Sequence, residues 1–297
     1  MKTAALIAPA SPCDEKDVIA TEELLKTFGI RSYSMKHVSK ATRFTAGTDD
    51  ERATDIMEAF SDPNIDLIVS LKGGYGTPRL LDRLDYSKIA FHKKPFFGFS
   101  DTTALQLALW QQAKMPSFSG FLGCFSAFDW PMLKTSLKAC LDQQEQRFVN
   151  LVPLNTIKKT VTGVLIGGTL TLIASLCGTK YFPKTDGAIV FLEEVGEQPY
   201  HIDRMLNQLF LNGFFDRVSA VVLGGFHHCI SKDPADGTVE DVLKERFSSL
   251  KVPVLQGLLY THGMDHIILP IGGHGVLNPE NGSLTCFSSF HEQGVSL

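Results

Sequence analysis

The 297-residue chain is defined first by what it lacks. It carries no Lys/Arg-rich block: 28 basic residues stand against 32 acidic ones, for a formal net charge of −4. A protein that grips nucleic acid through its phosphates normally shows a basic stripe, so no nucleic-acid partner is expected. No apolar run reaches the roughly 18 residues of a membrane-spanning helix, and no membrane partner is expected. The six cysteines, Cys13, Cys124, Cys140, Cys177, Cys229 and Cys286, are scattered without a Cys-x-x-Cys pair. That spacing predicts reduced, partly buried thiols. No internal repeat or low-complexity tract is visible. What is present, 44% hydrophobic and 20% charged residues, is the composition of an ordinary globular protein. The length fits one or two domains.

The N-terminal run Thr3 to Ala8 is too short for the apolar core of a signal peptide and leads into Pro9-Ala10-Ser11-Pro12-Cys13-Asp14-Glu15. It reads as a first β-strand entering a loop, which predicts a cytoplasmic protein. Strand and helix then alternate. Val18 to Phe28 has apolar residues at helical spacing, and Thr48 caps a helix over Asp49 to Phe60 with acidic residues in its first turn. Ile65 to Leu71 and Pro95 to Phe99 are buried strands, each followed by a turn and a helix. This alternation predicts an α/β protein: an N-terminal Rossmann-like layered domain with a mostly parallel sheet. Beyond a polar stretch without periodicity, further strand and helix segments predict a smaller mixed α/β C-terminal domain. The expected boundaries are 1–145 for the first domain, 146–159 for a linker and 160–297 for the second.

In open α/β sheets, ligands bind at the carboxyl ends of strands. Two such ends stand out. After the first, Lys72-Gly73-Gly74-Tyr75-Gly76 is either a tight turn alone or a cradle of backbone N–H groups for an anion. After the second, Gly98-Phe99-Ser100-Asp101-Thr102 holds a serine at a strand-to-helix turn. That is the setting of a nucleophile elbow and equally of an ordinary helix cap. A nucleophilic serine needs a base, and the base needs an orienting partner. His262 and His266 lie in a loop before an apolar strand, and Glu193 and Glu194 end the strand Ala188 to Leu192. His227-His228-Cys229 lacks a third ligand at zinc-like spacing, so no metal and no cofactor are expected.

Taken in order, six segments resemble the LD-carboxypeptidases, a serine peptidase family that includes muramoyltetrapeptide carboxypeptidase and the microcin C immunity peptidases. The segments are Ala8 to Ser11, Ala46 to Arg52, Lys72 to Gly76, Gly98 to Ala104, Phe191 to Leu206, and Gly257 through Gly272. The resemblance implies Ser100 as nucleophile, His262 as general base and Glu193 as the carboxylate that orients it. It implies an oxyanion hole of backbone N–H groups from Asp101 and the Gly73-Gly74 turn, in a cleft between the domains. Lys72, Tyr75 and Thr102 are expected to contact substrate. Departures fall at Lys72, Thr261, His266 and Gly120-Phe121-Leu122, and bear on substrate preference. The implied activity is hydrolysis of the L,D-peptide bond of a cytoplasmic murein tetrapeptide, releasing the terminal D-Ala in peptidoglycan recycling, by a homodimer. The alternatives are a microcin C-type immunity peptidase cutting a peptidyl-nucleotide amide, or an inactive α/β module that binds a small ligand. In a strand, successive side chains face opposite sides, so Glu194 is expected to point away from His262.

Overall fold

The computed structural model describes residues 1–123, 130–264 and 266–288; Cys124 lies outside them. Nine elements alternate through the first half: β1 (Thr3–Ile7), α1 (Glu15–Thr27), β2 (Arg31–Ser34), α2 (Asp49–Ser61), β3 (Leu67–Ser70), α3 (Tyr86–His92), β4 (Phe96–Gly98), α4 (Thr103–Ala113) and β5 (Ser117–Ser119). The capping expectation is met, because Thr48 and Glu51 form a reciprocal capping box at the start of α2. The first sheet runs β5-β4-β3-β1-β2 with every pairing parallel. Its inner strands β1, β3 and β4 are apolar on both faces, as a covered parallel sheet requires, while edge strand β2 is polar and partly exposed. Ala4 and Leu6 enter one core cluster, while Ala5 and Ile7 enter the other.

The second half begins with α5 (Pro131–Leu141), β6 (Gln146–Phe148) and β7 (Val152–Pro153). It continues with β8 (Val161–Thr169), α6 (Leu170–Ser175), β9 (Ile189–Val195), α7 (Pro199–Leu211), β10 (Ala220–His227), α8 (Val239–Phe247) and β11 (Val254–Gln256). The chain then forms β12 (Leu269–Ile271), β13 (His274–Asn278) and β14 (Ser283–Phe287). The second sheet has the order β6-β14-β13-β8-β9-β10-β11-β7, parallel from β8 to β11 and antiparallel at both flanks. The fold is thus α/β with one mostly parallel and one mixed sheet.

Two segments behave differently from the sequence reading. Residues 146–159, read as a linker, supply β6 and β7 at opposite edges of the second sheet. Polar character there reflects edge positions, which keep one side in water. Strand β12 leaves the second half and pairs antiparallel with β5, adding a sixth strand to the first sheet. Helix α4 packs against both β4 of the first sheet and β8 of the second. A single apolar cluster consequently runs from Ile68 and Phe96 through Leu105 and Leu109 to Ile166 and Val190.

Candidate active site

Because β3 and β4 are neighbours, their carboxyl ends bring the glycine turn and the serine turn side by side. Ser100 opens a single 3-10 turn, Ser100–Thr102, before α4, and takes a φ of +62°. Few non-glycine residues occupy that left-handed region, and doing so costs roughly 1–3 kcal/mol. Gly73 packs directly on this turn: a Cβ at 73 would lie 2.9 Å from Ser100 Cβ and 3.2 Å from its hydroxyl. Gly74 adopts a φ of +108°. The Gly73 carbonyl accepts from the N–H of Ser11 at 3.2 Å. In a trans peptide the next N–H, that of Gly74, therefore points away from Ser11.

The two turns are tied together below the surface. The buried Asp101 carboxylate accepts from the Thr77 N–H at 2.8 Å, and burial raises its pKa above the usual carboxylate range. Fully buried Arg52 donates to the carbonyls of Gly76, at 3.0 Å, and Pro9, and to Asp49 at 2.5 Å. Ala46 N–H donates to the Ala10 carbonyl at 2.9 Å. Three segments distant in sequence thereby meet behind one turn.

His262 and Glu193 come from the second half. The ring's Nε2 lies 2.9 Å from Ser100 Oγ, and its Nδ1 lies 2.6 Å from Glu193 Oε2. Glu193 is wholly buried, and the His262 side chain is only 16% exposed. Phe99 packs against the imidazole with ring centroids 4.5 Å apart. Strand alternation separates the two glutamates. Glu194 turns to α6, where Oε2 accepts from the Thr171 N–H and hydroxyl at 2.8 and 2.6 Å, and Oε1 accepts from the Val195 N–H at 2.8 Å. Burial outweighs these donors and raises its pKa to about 7. A hydroxyl, an imidazole and a carboxylate in this order can move a proton from oxygen to ring while the carboxylate holds the other nitrogen.

The remaining sequence candidates divide. Lys72 is half-buried, and Tyr75 is exposed, its ring edge-on to that of exposed Phe44 at 5.1 Å. Thr102 requires correction: it is fully buried and its hydroxyl donates to the Phe99 carbonyl at 2.9 Å, so it closes the turn and has no face for substrate. His266 is buried, with Nε2 2.6 Å from the Gly120 carbonyl and Nδ1 3.2 Å from that of Gly263; burial lowers its pKa. It braces the His262 loop against the end of β5. The rings of His227 and His228 lie tilted against each other with centroids 4.0 Å apart, and among the described residues no three His, Cys, Asp or Glu side chains group to hold a metal.

Sequence reasoning missed Thr169. Its hydroxyl donates to Glu193 Oε1 at 2.6 Å. The residues Val164 to Leu176 form no single element, because the chain leaves β8 at Thr169 and enters α6. Gly167-Gly168-Thr169, a breaker pair followed by a cap residue, was the available signal.

Known proteins share this organisation. The N-terminal domain of the LD-carboxypeptidases matches residues 4–120, and their C-terminal domain matches residues 162–277. A probable murein peptide carboxypeptidase of Bacillus subtilis is 33% identical over 282 residues, covering 93% of this chain and 88% of that protein. A murein tetrapeptide carboxypeptidase of Pseudomonas aeruginosa is 31% identical, covering 92% of each chain. The crystal structure of a muramoyltetrapeptide carboxypeptidase from Oxalobacter formigenes superimposes with a TM-score of 0.86 at 31% identity, covering 96% of this chain and 98% of that one. With both domains matched and relatives above 30% identity spanning nearly its whole length, the chain belongs to the LD-carboxypeptidase family.

Proposed function

We propose that the protein is a serine carboxypeptidase that cuts the bond between an L-configured centre and the terminal D-alanine of a murein tetrapeptide. The observation that carries the reading is the unbroken chain Ser100 Oγ–His262–Glu193, with contacts of 2.9 and 2.6 Å. Ser100 Oγ attacks the scissile carbonyl as its proton passes to His262 Nε2. Nδ1–H stays hydrogen-bonded to Glu193, whose charge stabilises the imidazolium that forms. The negative oxygen of the tetrahedral adduct faces the N–H groups of Asp101 and the Gly73-Gly74 turn. His262 then returns its proton to the departing D-alanine amine, and water releases the acyl group from Ser100 by the same relay in reverse. Lys72 and Tyr75, on the rim beside the glycine turn, contact the peptide. The reaction serves the cytoplasmic recycling of cell-wall peptides. The relay activates the serine through proton transfer, so turnover is expected to persist in EDTA.

Mass spectrometry of murein tri-, tetra- and pentapeptides and of an aspartyl-adenylate amide, each incubated with the protein, tests the substrate class. Conversion of tetrapeptide to tripeptide plus D-alanine is expected. Cleavage of the adenylate amide with an untouched tetrapeptide would overturn the assignment in favour of an immunity-type peptidase. Turnover of neither would favour an inactive binding module.

A further inference from the structure

Glu193 has two oxygens, and the proposed relay uses one. Oε2 faces His262, while Oε1 accepts from Thr169 Oγ1 at 2.6 Å. Thr169 is itself buried, sits opposite Glu193 in the parallel β8–β9 register, and stands at the junction of β8 with α6. Its backbone N–H donates to the buried Thr103 hydroxyl at 3.3 Å. Thr103 opens α4 directly after the Ser100 turn. A closed circuit therefore runs from Ser100 through His262, Glu193, Thr169 and Thr103 back to the turn that carries Ser100, crossing between the two halves of the chain twice.

We propose that Thr169 is a positioning residue for the reaction, fixing the Glu193 carboxylate in the orientation that His262 requires. The proposal deepens the carboxypeptidase reading and rests on it. A carboxylate with no exposure needs donors from protein, because leaving a buried acceptor unpaired carries its full desolvation penalty. With His262 as its sole donor, the carboxylate would be free to rotate about its terminal torsion, which is broad and weakly restrained. The second donor removes that freedom. Threonine suits the place because its branched side chain is stiff at χ1, so the hydroxyl is aimed before substrate arrives. The link to Thr103 sets β8 against α4, and hence the acid of the relay against the nucleophile.

The test compares Thr169→Val and Thr169→Ser in two measurements. In the free protein, the low-field proton resonance of the His262 Nδ1–H, identified by its loss in His262→Ala, should shift or broaden in Thr169→Val and return in Thr169→Ser. With murein tetrapeptide, Thr169→Val should lower kcat on the order of 10- to 100-fold, the value of one hydrogen bond to a charged group, while KM stays within about twofold. Thr169→Ser should recover most of the rate. In a Glu193→Gln background, adding Thr169→Val should change kcat by less than about threefold, since groups acting as one unit are not additive. An unmoved resonance with full kcat in Thr169→Val would overturn the proposal. So would a loss that serine fails to recover, or one that persists undiminished beside Glu193→Gln. If the unmodified protein turned over no murein peptide yet showed the Thr169-dependent resonance, the carboxypeptidase reading would fail and the placement of Thr169 would stand.

Discussion

At the scale of single residues, the decisive contrast is between Glu193 and Glu194, adjacent, both buried, and facing different partners. Glu193→Gln should reduce kcat roughly 10²- to 10⁴-fold, because the imidazolium loses its partner charge and its fixed tautomer. Glu194→Gln should cost less than about tenfold, the effect of a charge acting at a distance. Side-by-side kinetics in which Glu194→Gln proved the more damaging would reverse the assignment. Ser100→Ala should remove on the order of 10⁴-fold or more of the rate. Its fold should persist, since the half-exposed side chain contributes little packing. Near-native turnover by a stable Ser100→Ala protein would exclude Ser100 as nucleophile. These residues were legible early: Gly98-Phe99-Ser100, the glutamates at a strand end and His262 in its loop are each ambiguous alone, and only their order along the chain raised them together. Thr102 was misread because a hydroxyl beside a nucleophile looks the same in sequence whether it faces the cleft or closes the turn beneath it.

At the scale of elements, β9 and α6 form the support of the site, and their coupling has a pH signature. Glu194 holds the start of α6 through Thr171, and its pKa stands at about 7 against an ordinary value of 4.5. A carboxyl whose pKa is raised on folding binds more protons in the native state than in the unfolded chain. Stability must then fall as pH rises, through the window from 4.5 to about 7. Glu194→Gln removes this dependence, so the variant should gain relative to the parent by on the order of 2–3 kcal/mol between pH 4.5 and pH 8. Urea denaturation at the two pH values measures it; parallel stability curves would contradict the assignment. Long periodic elements such as α2, α7 and α8 were readable from sequence, with α2 marked by its cap. The short antiparallel flanking strands were not. β6, β7, β13 and β14 lack a continuous apolar run, because antiparallel flanking strands bury one face at most.

At the scale of the whole molecule, the two halves are joined by more than a hinge. β12 completes the first sheet, the Ser119 and Tyr260 hydroxyls bond across the junction at 2.7 Å, and one apolar cluster spans both sheets. Unfolding should therefore be a single cooperative transition, with calorimetric and van't Hoff enthalpies in agreement. Two resolved transitions would contradict the shared core. The same construction explains why the proposed site lies where it does: Ser100 follows β4 of one sheet, Glu193 lies on β9 of the other, and His262 sits in the loop from β11 to β12 that joins the two. The most direct test is therefore chemical, on the assembled protein. Rapid acid quench of the protein with murein tetrapeptide, followed by peptide mapping, should find the tripeptide acyl group esterified to Ser100, and none in Ser100→Ala. Turnover without any acyl adduct at Ser100, or with the adduct on another residue, would contradict the relay proposed here.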